Sequence, residues 1–333
     1  MSTPKRWLFL ILVLIILILG FIDLRLYAAL QQQSLATENS LTPSIGLLSP
    51  RIYSGIIKPR SYLIFNFNPL KDYLQLYIDK NNLNVSLYVV NLRDGASMSI
   101  NASNGFPPAS MHKVPIAILV AKDIEDGKLN WTTPIPIKEA YRSDSWGSLY
   151  KTKEQQLPLR VLFEKMLQES DNTAFFALGD YIQKKDYDDL VFDYWGYLLK
   201  SGKSNEQSPL ISPRSMYNVF SSLYLSTILL PNDSEYILSL LTNTSFDINA
   251  FADIPREVKI AQKFGDNYRN GLQTFNDCGI MYIQDMRLFY CVMSEGIPQE
   301  KAASVMGNIV HQIYDFSIQA REYFDVQNKA LIR

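Results

Sequence analysis

The sequence has few of the residues that usually hold transition metals, with two histidines and two cysteines among 333 residues. None of these four residues lies in a cluster with metal-site spacing, so the sequence predicts no structural or catalytic metal. Positive and negative charges nearly cancel, giving a formal net charge of −1 at pH 7. This balance argues against a nucleic acid or another polyanion as a partner. We therefore expect no metal, no cofactor and no nucleic-acid partner.

The one long hydrophobic run lies at the N-terminus. Lys5 and Arg6 precede an unbroken apolar stretch over residues 7–22, and apolar residues continue to residue 30. No Ala-x-Ala cleavage site follows, and no cysteine is available there for lipid attachment. We interpret residues 7–30 as an uncleaved signal anchor with residues 1–6 as a basic cytoplasmic tail. The alternative is a cleaved secretory peptide, and both interpretations place the rest of the chain outside the cytoplasm.

Beyond this segment, composition and periodicity predict a linker followed by one domain. Residues 31–62 are rich in Ser, Thr, Pro and Gln without sustained periodicity, which is typical of a tether. In the domain, residues 63–333, strand patterns occur early and late, and helical patterns lie between them. The strands are predicted at 85–91, 97–101, 258–264, 278–283 and 288–293, and the helices at 69–80, 114–124, 159–167, 173–182, 213–229, 236–241 and 299–322. This order predicts an α+β fold with one antiparallel sheet built from both chain ends.

Three short motifs in a fixed order are the strongest functional signal: Ser110-Met111-His112-Lys113, Ser170-Asp171-Asn172 and Lys263-Phe264-Gly265. The first motif places a hydroxyl and an amine on one face of a helix, since residues three apart are neighbours there. Serine is a weak nucleophile at its ordinary pKa and needs a nearby base. A lysine can be that base when burial lowers its pKa. The combination predicts acyl transfer.

In their order and spacing, these motifs resemble those of the class A β-lactamases and the related penicillin-recognising serine D,D-peptidases. The resemblance extends from about residue 70 to residue 296. It includes Pro108-Ala109 before the nucleophile and the stretch 276–282 near the end. It implies the β-lactamase/D,D-peptidase fold and a substrate that is either a β-lactam or a D-Ala-D-Ala stem peptide of peptidoglycan.

The resemblance also implies a role for each residue of the first two motifs. Ser110 would be the nucleophile and Lys113 its base. Ser170 would relay a proton between Lys113 and the leaving nitrogen, while Asn172 would hold the amide carbonyl of the substrate. Asp171 has no assigned chemical role, and we expect it to fix the loop through hydrogen bonds to backbone.

The third motif departs from the family pattern at one position. Lys263 would supply positive charge for the substrate carboxylate, and Gly265 would let the substrate approach the strand edge closely. The backbone N–H groups of Asp266 and Ser110 would form the oxyanion hole. Phe264 occupies a position where the family has Thr or Ser, whose hydroxyl helps to bind the substrate carboxylate.

A second departure concerns the base that hydrolyses the acyl-enzyme. Class A β-lactamases use a glutamate in a Glu-x-x-Leu-Asn pattern, which is missing between Asn172 and Pro213. Glu206 lies at about the expected distance and is the candidate general base; otherwise it is a surface acid. Three functions therefore stay open: a β-lactamase, a D-Ala-D-Ala carboxypeptidase or penicillin-binding protein with slow deacylation, and a non-catalytic sensor of muropeptides or β-lactams.

The two cysteines permit a geometric prediction. If Gln284-Asp285 forms a two-residue turn, the flanking strands pair Cys278 directly with Cys291, close enough to bridge. An exported domain is also the setting in which disulfides persist. We predict a cross-strand disulfide, with two small buried hydrophobic residues as the alternative.

Overall fold

The computed structural model describes residue 47 and residues 66–182, 184–200, 208–269, 272–284 and 286–331. The predicted anchor, most of the linker and Glu206 lie outside the described residues. Within the described ranges, no helix combines the length and apolar character needed to cross a membrane. All described residues belong to one unit, Leu47–Arg333.

An antiparallel five-stranded sheet in the order β2-β1-β9-β8-β7 organises the fold. The strands, in chain order, are β1 (Val85–Asn91), β2 (Ser97–Ile100), β3 (Pro134–Pro136), β4 (Gln156–Pro158), β5 (Leu198–Lys200), β6 (Ser208–Leu210), β7 (Lys259–Arg269), β8 (Leu272–Ile283) and β9 (Met286–Glu295). β1 pairs with β9, so the first and last parts of the domain meet in the middle of the sheet. This confirms the predicted α+β fold with a sheet built from both chain ends. The pairs β3-β4 and β5-β6 form two small separate sheets.

Nine α-helices complete the described part of the chain: α1 (Asn68–Lys80), α2 (Lys113–Glu125), α3 (Leu159–Gln168), α4 (Asn172–Gly179), α5 (Lys184–Asp188), α6 (Pro213–Tyr224), α7 (Pro231–Leu241), α8 (Ile248–Phe251) and α9 (Gln299–Leu331). Helix α2 is apolar on nearly every side and is buried from Lys113 to Ala121, as expected of a helix in the middle of a core. The helical region packs on one face of the sheet, and α1 and α9 pack on the other. Both faces of β8 are therefore buried.

The β8-β9 hairpin has the register that the sequence predicts. Cys278 pairs with Cys291 across the two strands, and a disulfide joins them. This pair lies in the core between the sheet and the helical region. The predicted cross-strand disulfide is therefore present in the structure.

The observed ends of one helix and one strand differ from the predicted ends. The helix predicted at 213–229 ends at Tyr224, because the chain turns at Ser226, where φ is +50°. Strand β7 continues past its predicted end at residue 264 to Arg269. Its extension pairs with Leu272 to Asn276 of β8, so cross-strand pairing maintains a strand where hydrophobic alternation has stopped.

Candidate active site

Ser110 lies in a short 3-10 turn, Ala109–His112, which continues directly into α2. The predicted helix at 114–124 is observed at Lys113–Glu125, and Ser110 lies in the turn immediately before it. Ala109 has a φ of +47°, a conformation that costs a non-glycine residue about 1 kcal/mol or more. This backbone bend sets the direction of the turn that carries Ser110. The Oγ atom of Ser110 lies 3.0 Å from Nζ of Lys113, so the predicted pairing of the two side chains is present.

Lys113 is buried in a pocket of neutral oxygen atoms. Besides Ser110, its Nζ lies 3.0 Å from Oγ of Ser170 and 2.7 Å from Oδ1 of Asn172, and it also donates to the backbone carbonyl of Ser170. Burial lowers the pKa of Lys113 to about 7, although the charge of Asp171 opposes this change. A substantial fraction of the amine is therefore neutral near pH 7 and able to accept the proton of Ser110.

Ser170 connects two lysines. Its hydroxyl lies 3.0 Å from Nζ of Lys113 and 2.9 Å from Nζ of Lys263. Burial lowers the pKa of Lys263 well below its usual value, and the neighbouring charge of Lys113 lowers it further. A hydroxyl can accept a hydrogen bond from one amine while it donates to the other. Ser170 therefore has the geometry of a proton relay between the two amines.

The backbone around Ser170 is held by Asp171, as the sequence predicts. Ser170 has a φ of +55°, and the carboxylate of Asp171 accepts hydrogen bonds from the N–H groups of Leu149 at 2.8 Å and Ala174 at 2.9 Å. Asp171 is the N-cap of α4. Gly147, with φ +93°, packs so closely against Asp171 that no Cβ would fit. This arrangement fixes the loop that presents Ser170.

Asn172 directs one half of its side-chain amide toward Lys113. Its Oδ1 accepts from Nζ at 2.7 Å, so the amide N–H₂ group faces away from the lysine. This orientation leaves a donor for the carbonyl oxygen of a substrate, which is the role implied by the motif. Asn172 also borders the open cavity beside Ser110.

Gly265 lies in close contact with the turn that carries Ser110. A Cβ at this position would lie 3.1 Å from the backbone N of Ser110, from the carbonyl O of Pro108 and from Cβ of Ala109. The absence of a side chain therefore lets β7 pack against the turn that carries the nucleophile. That Gly265 also lets the substrate approach the strand edge stays a prediction.

His112 is a packing residue. It faces away from the Ser110–Lys113 pair, and its Nδ1 lies 3.3 Å from the hydroxyl of Tyr187. Burial lowers the pKa of His112 to about 4, so the imidazole is neutral at physiological pH.

The cavity beside Ser110 has an aromatic lining that the sequence interpretation missed. Its volume is about 350 Å³. The aromatic residues at its wall are Trp146, Phe175, Phe176 and Tyr268. The Phe175-Phe176 pair three residues after Asn172 was a signal in the sequence, since residues 172, 175 and 176 share one face of a helix that begins at Asn172. Trp146 and Tyr268 come from loops and strand ends, which carry no such signal.

Glu206, the candidate base for deacylation, lies outside the described residues. Among the described residues, every hydrogen bond of Lys113 goes to a hydroxyl, carbonyl or amide oxygen. The same part of the chain contains no group of His, Cys, Asp and Glu side chains that could hold a metal ion.

The pKa of Lys113 gives a prediction for the pH dependence of acylation. With the neutral amine of Lys113 as the base, the rate constant for acylation of Ser110 should rise with pH and level off above about 7. Stopped-flow or mass-spectrometric acylation rates between pH 5 and pH 9 will measure this profile. A rate that is constant from pH 5 to pH 9 would contradict the assignment of Lys113 as the base.

Fold and site together define an active-site-serine hydrolase in which a buried lysine contacts the serine. The sequence profile of the β-lactamase enzyme family matches residues 69–317. The chain therefore belongs to the β-lactamase enzyme family. Among curated protein sequences, none matches it significantly.

Solved structures with the same fold include both penicillin-binding proteins and β-lactamases. The chain is similar to a mutant of PBP-A, described as an acyl-enzyme complex with penicillin G, with 22% identity and a TM-score of 0.67 over 75% of this chain and 97% of that one. It is similar to a β-lactamase from Chitinophaga pinensis, with 20% identity and a TM-score of 0.66 over 75% and 100% of the two chains. The chain is also similar to the extended-spectrum β-lactamase TLA-3, with 16% identity and a TM-score of 0.67 over 76% of this chain and 100% of that one.

Proposed function

We propose that this protein opens β-lactam rings through an acyl-enzyme on Ser110 and then hydrolyses the ester. The observation that carries the proposal is the 3.0 Å contact between Oγ of Ser110 and Nζ of Lys113, together with the lowered pKa of that lysine. A nucleophile in contact with a neutral amine base is the arrangement that acyl transfer requires.

In the acylation step, the residues around Ser110 act one after another. Lys113 removes the proton of Ser110 as its Oγ forms a bond to the lactam carbonyl carbon. The carbon–nitrogen bond of the ring then breaks. The hydroxyl of Ser170 passes its proton to the leaving nitrogen and is reprotonated by an adjacent lysine amine. Water then cleaves the ester and restores Ser110.

Backbone N–H groups of Ser110 and Asp266 would stabilise the oxyanion in both steps. The close packing of Gly265 against the backbone of Ser110 supports this role, because it brings β7 next to the nucleophile turn. Preorganised donors of this kind each lower the barrier by about 3–4 kcal/mol.

The intact mass of the protein after incubation with benzylpenicillin tests the proposal. Wild type should gain the mass of one drug molecule or accumulate the ring-opened product, and Ser110→Ala should do neither. Ser239→Ala, which changes an exposed serine of α7, is the matched control and should behave as wild type. Labelling or turnover that persists in Ser110→Ala would contradict the assignment.

A second candidate function is a D,D-peptidase that deacylates slowly. It is favoured by the hydrogen-bond partners of Lys113, since none of the described carboxylates is within hydrogen-bond distance of its amine. The same mass experiment separates the two functions. A lasting adduct indicates slow deacylation, whereas product without an adduct indicates a β-lactamase whose general base is then sought first at Glu206.

We also propose that residues 7–30 anchor the protein in the cell membrane with its hydrolase domain on the outer side. The basic residues before the apolar run support this orientation. Full-length protein should sediment with membranes and be digested by protease added outside, and a form beginning after residue 30 should stay soluble. Full-length protein in the soluble cytoplasmic fraction would contradict the proposal.

A further inference from the structure

A second cavity, separate from the one beside Ser110, lies against strand β7. Its volume is about 340 Å³, and it is enclosed by most of the segment 242–249, by Arg256, and by Ile260 and Gln262 of β7. The two cavities share none of their described lining residues. Neighbouring residues of a strand point to opposite faces. Since Lys263 contacts Ser170, Gln262 points away from the catalytic residues.

Gln262 brings an unpaired hydrogen-bond acceptor to this second cavity. The residue is 2% exposed, and its Nε2 donates to the carbonyl oxygen of Phe246 at 2.7 Å and to the hydroxyl of Thr244. Because a carbonyl oxygen can only accept, Phe246 fixes which end of the amide is the nitrogen. Oε1 of Gln262 then has no hydrogen-bond partner among the described residues. Buried polar atoms usually have a partner, so Oε1 indicates where a donor from a bound molecule would fit.

The charged groups that line the second cavity compensate each other. Arg256 and Asp247 are both exposed, and Nη2 of Arg256 lies 3.2 Å from Oδ2 of Asp247. No other Asp, Glu, Lys, Arg or His belongs to the described lining. A charged ligand would therefore leave water without a counter-charge. The other polar groups of the lining are amides and hydroxyls, which suit a neutral ligand with many donors and acceptors: Thr242, Asn243, Thr244, Asn249 and Gln262.

One wall of the second cavity is an aromatic ring that its neighbours hold in place. Phe246 lines the cavity, stacks on Phe251 and packs against Phe264, with 4.8 Å between ring centroids in each pair. The ring of Phe264 in turn lies 4.5 Å from Nζ of Lys263. The buried side chain of Ile260 adds apolar surface to the lining. The cavity thus combines an apolar wall with converging amides and hydroxyls, as a small-molecule site does.

We propose that the second cavity binds a neutral sugar ring and that Asn243 and Gln262 recognise it. The hydroxyl groups of a sugar donate and accept around the edge of the ring, which matches amides and hydroxyls on several sides. A peptide presents such groups only along one line of backbone. The C–H face of the ring can pack on Phe246, and an acetamido substituent adds an N–H donor for Oε1 of Gln262. This site is independent of the acylation of Ser110.

Binding of the trisaccharide of N-acetylglucosamine to the full-length protein tests the proposal. Ligand-detected saturation-transfer NMR, in a detergent without a sugar headgroup, should give a Kd of about 1 mM or lower. The fully de-N-acetylated trisaccharide carries ammonium groups and lacks the amide N–H, so it should bind at least about tenfold more weakly. Absence of binding, equal binding of the two trisaccharides, or tighter binding of N-acetyl-trialanine amide would each overturn the inference.

Variants at the rim and at the buried end of the cavity locate the bound sugar. Asn243→Trp places a large side chain at the exposed rim and should abolish binding. Asn104→Trp changes another exposed asparagine outside the lining and is the matched control, which should bind as wild type does. Gln262→Met removes the acceptor and should weaken binding about tenfold.

Unchanged binding in Asn243→Trp would overturn the inference, and this variant decides the question even if Gln262→Met folds poorly. Labelling of Ser110 by benzylpenicillin in the same samples is a separate readout. Failure of the sugar to bind would therefore leave the proposed function intact, and failure of the labelling would leave the sugar site intact.

Discussion

Lys113→Arg is expected to slow the acylation of Ser110 by about a thousandfold. Arginine keeps the positive charge, but its pKa is too high for it to act as a base near neutral pH, and general-base catalysis contributes about 10²–10⁴-fold. In wild type, burial lowers the pKa of Lys113 to about 7, so the loss should reflect removal of the neutral amine. Acylation rates with an activated β-lactam at pH 7.5 will measure the effect.

The matched control is Lys122→Arg, in the last turn of the same helix. Lys122 is partly exposed and pairs with Asp126 at 2.8 Å, so the exchange preserves its charge away from the site. Its acylation rate should equal that of wild type. If Lys113→Arg acylates within threefold of wild type, a different group must take the proton of Ser110.

Gly307→Ala should destabilise the protein by about 2 kcal/mol or more, although alanine is the better helix former. A Cβ at residue 307 of α9 would lie 2.7 Å from the carbonyl carbon of Phe251 and still closer to its oxygen. Overpacking against backbone commonly costs about 1–3 kcal/mol, while the gain in helix propensity is only about 1 kcal/mol. Helix α9 would have to move away from α8, and the thermal unfolding midpoint should fall by several degrees.

Gly179→Ala in helix α4 makes the same chemical change without the clash. A Cβ there would meet nothing within 4 Å, so this variant should be unchanged or more stable by up to about 1 kcal/mol. Opposite changes in stability for Gly307→Ala and Gly179→Ala would separate the cost of the packing clash from the gain in helix propensity. Equal midpoints for the two variants would show that α9 can shift without cost.

Local features of this protein could be predicted because they depend on neighbouring residues. Three-residue spacing was enough to bring the side chains of Ser110 and Lys113 together. A two-residue turn was enough to fix the register of β8 and β9 and to pair Cys278 with Cys291. The ends of helices and strands were harder to predict where cross-strand pairing or a turn, and not the hydrophobic pattern, determines them. The extended end of β7 is an example.

The contacts among the three motifs could be anticipated only through resemblance to a family. Ser170 reaches Lys113 across 57 residues of sequence and Lys263 across 93. No local rule relates residues at such separations, since their approach depends on how the helical region packs on the sheet. The missing Glu-x-x-Leu-Asn pattern between Asn172 and Pro213, by contrast, is a property of the sequence itself.

The sequence by itself determined the sheet built from both chain ends, the serine–lysine pair and the pairing of the cysteines. The tertiary structure alone decided that Gly265 packs against the nucleophile turn and that Phe264 covers Lys263. It also decided that aromatic residues from separate elements, among them Trp146 and Tyr268, line the cavity. Spacing determines which side chains share a local face, but the burial and charge of a side chain depend on every segment that packs around it.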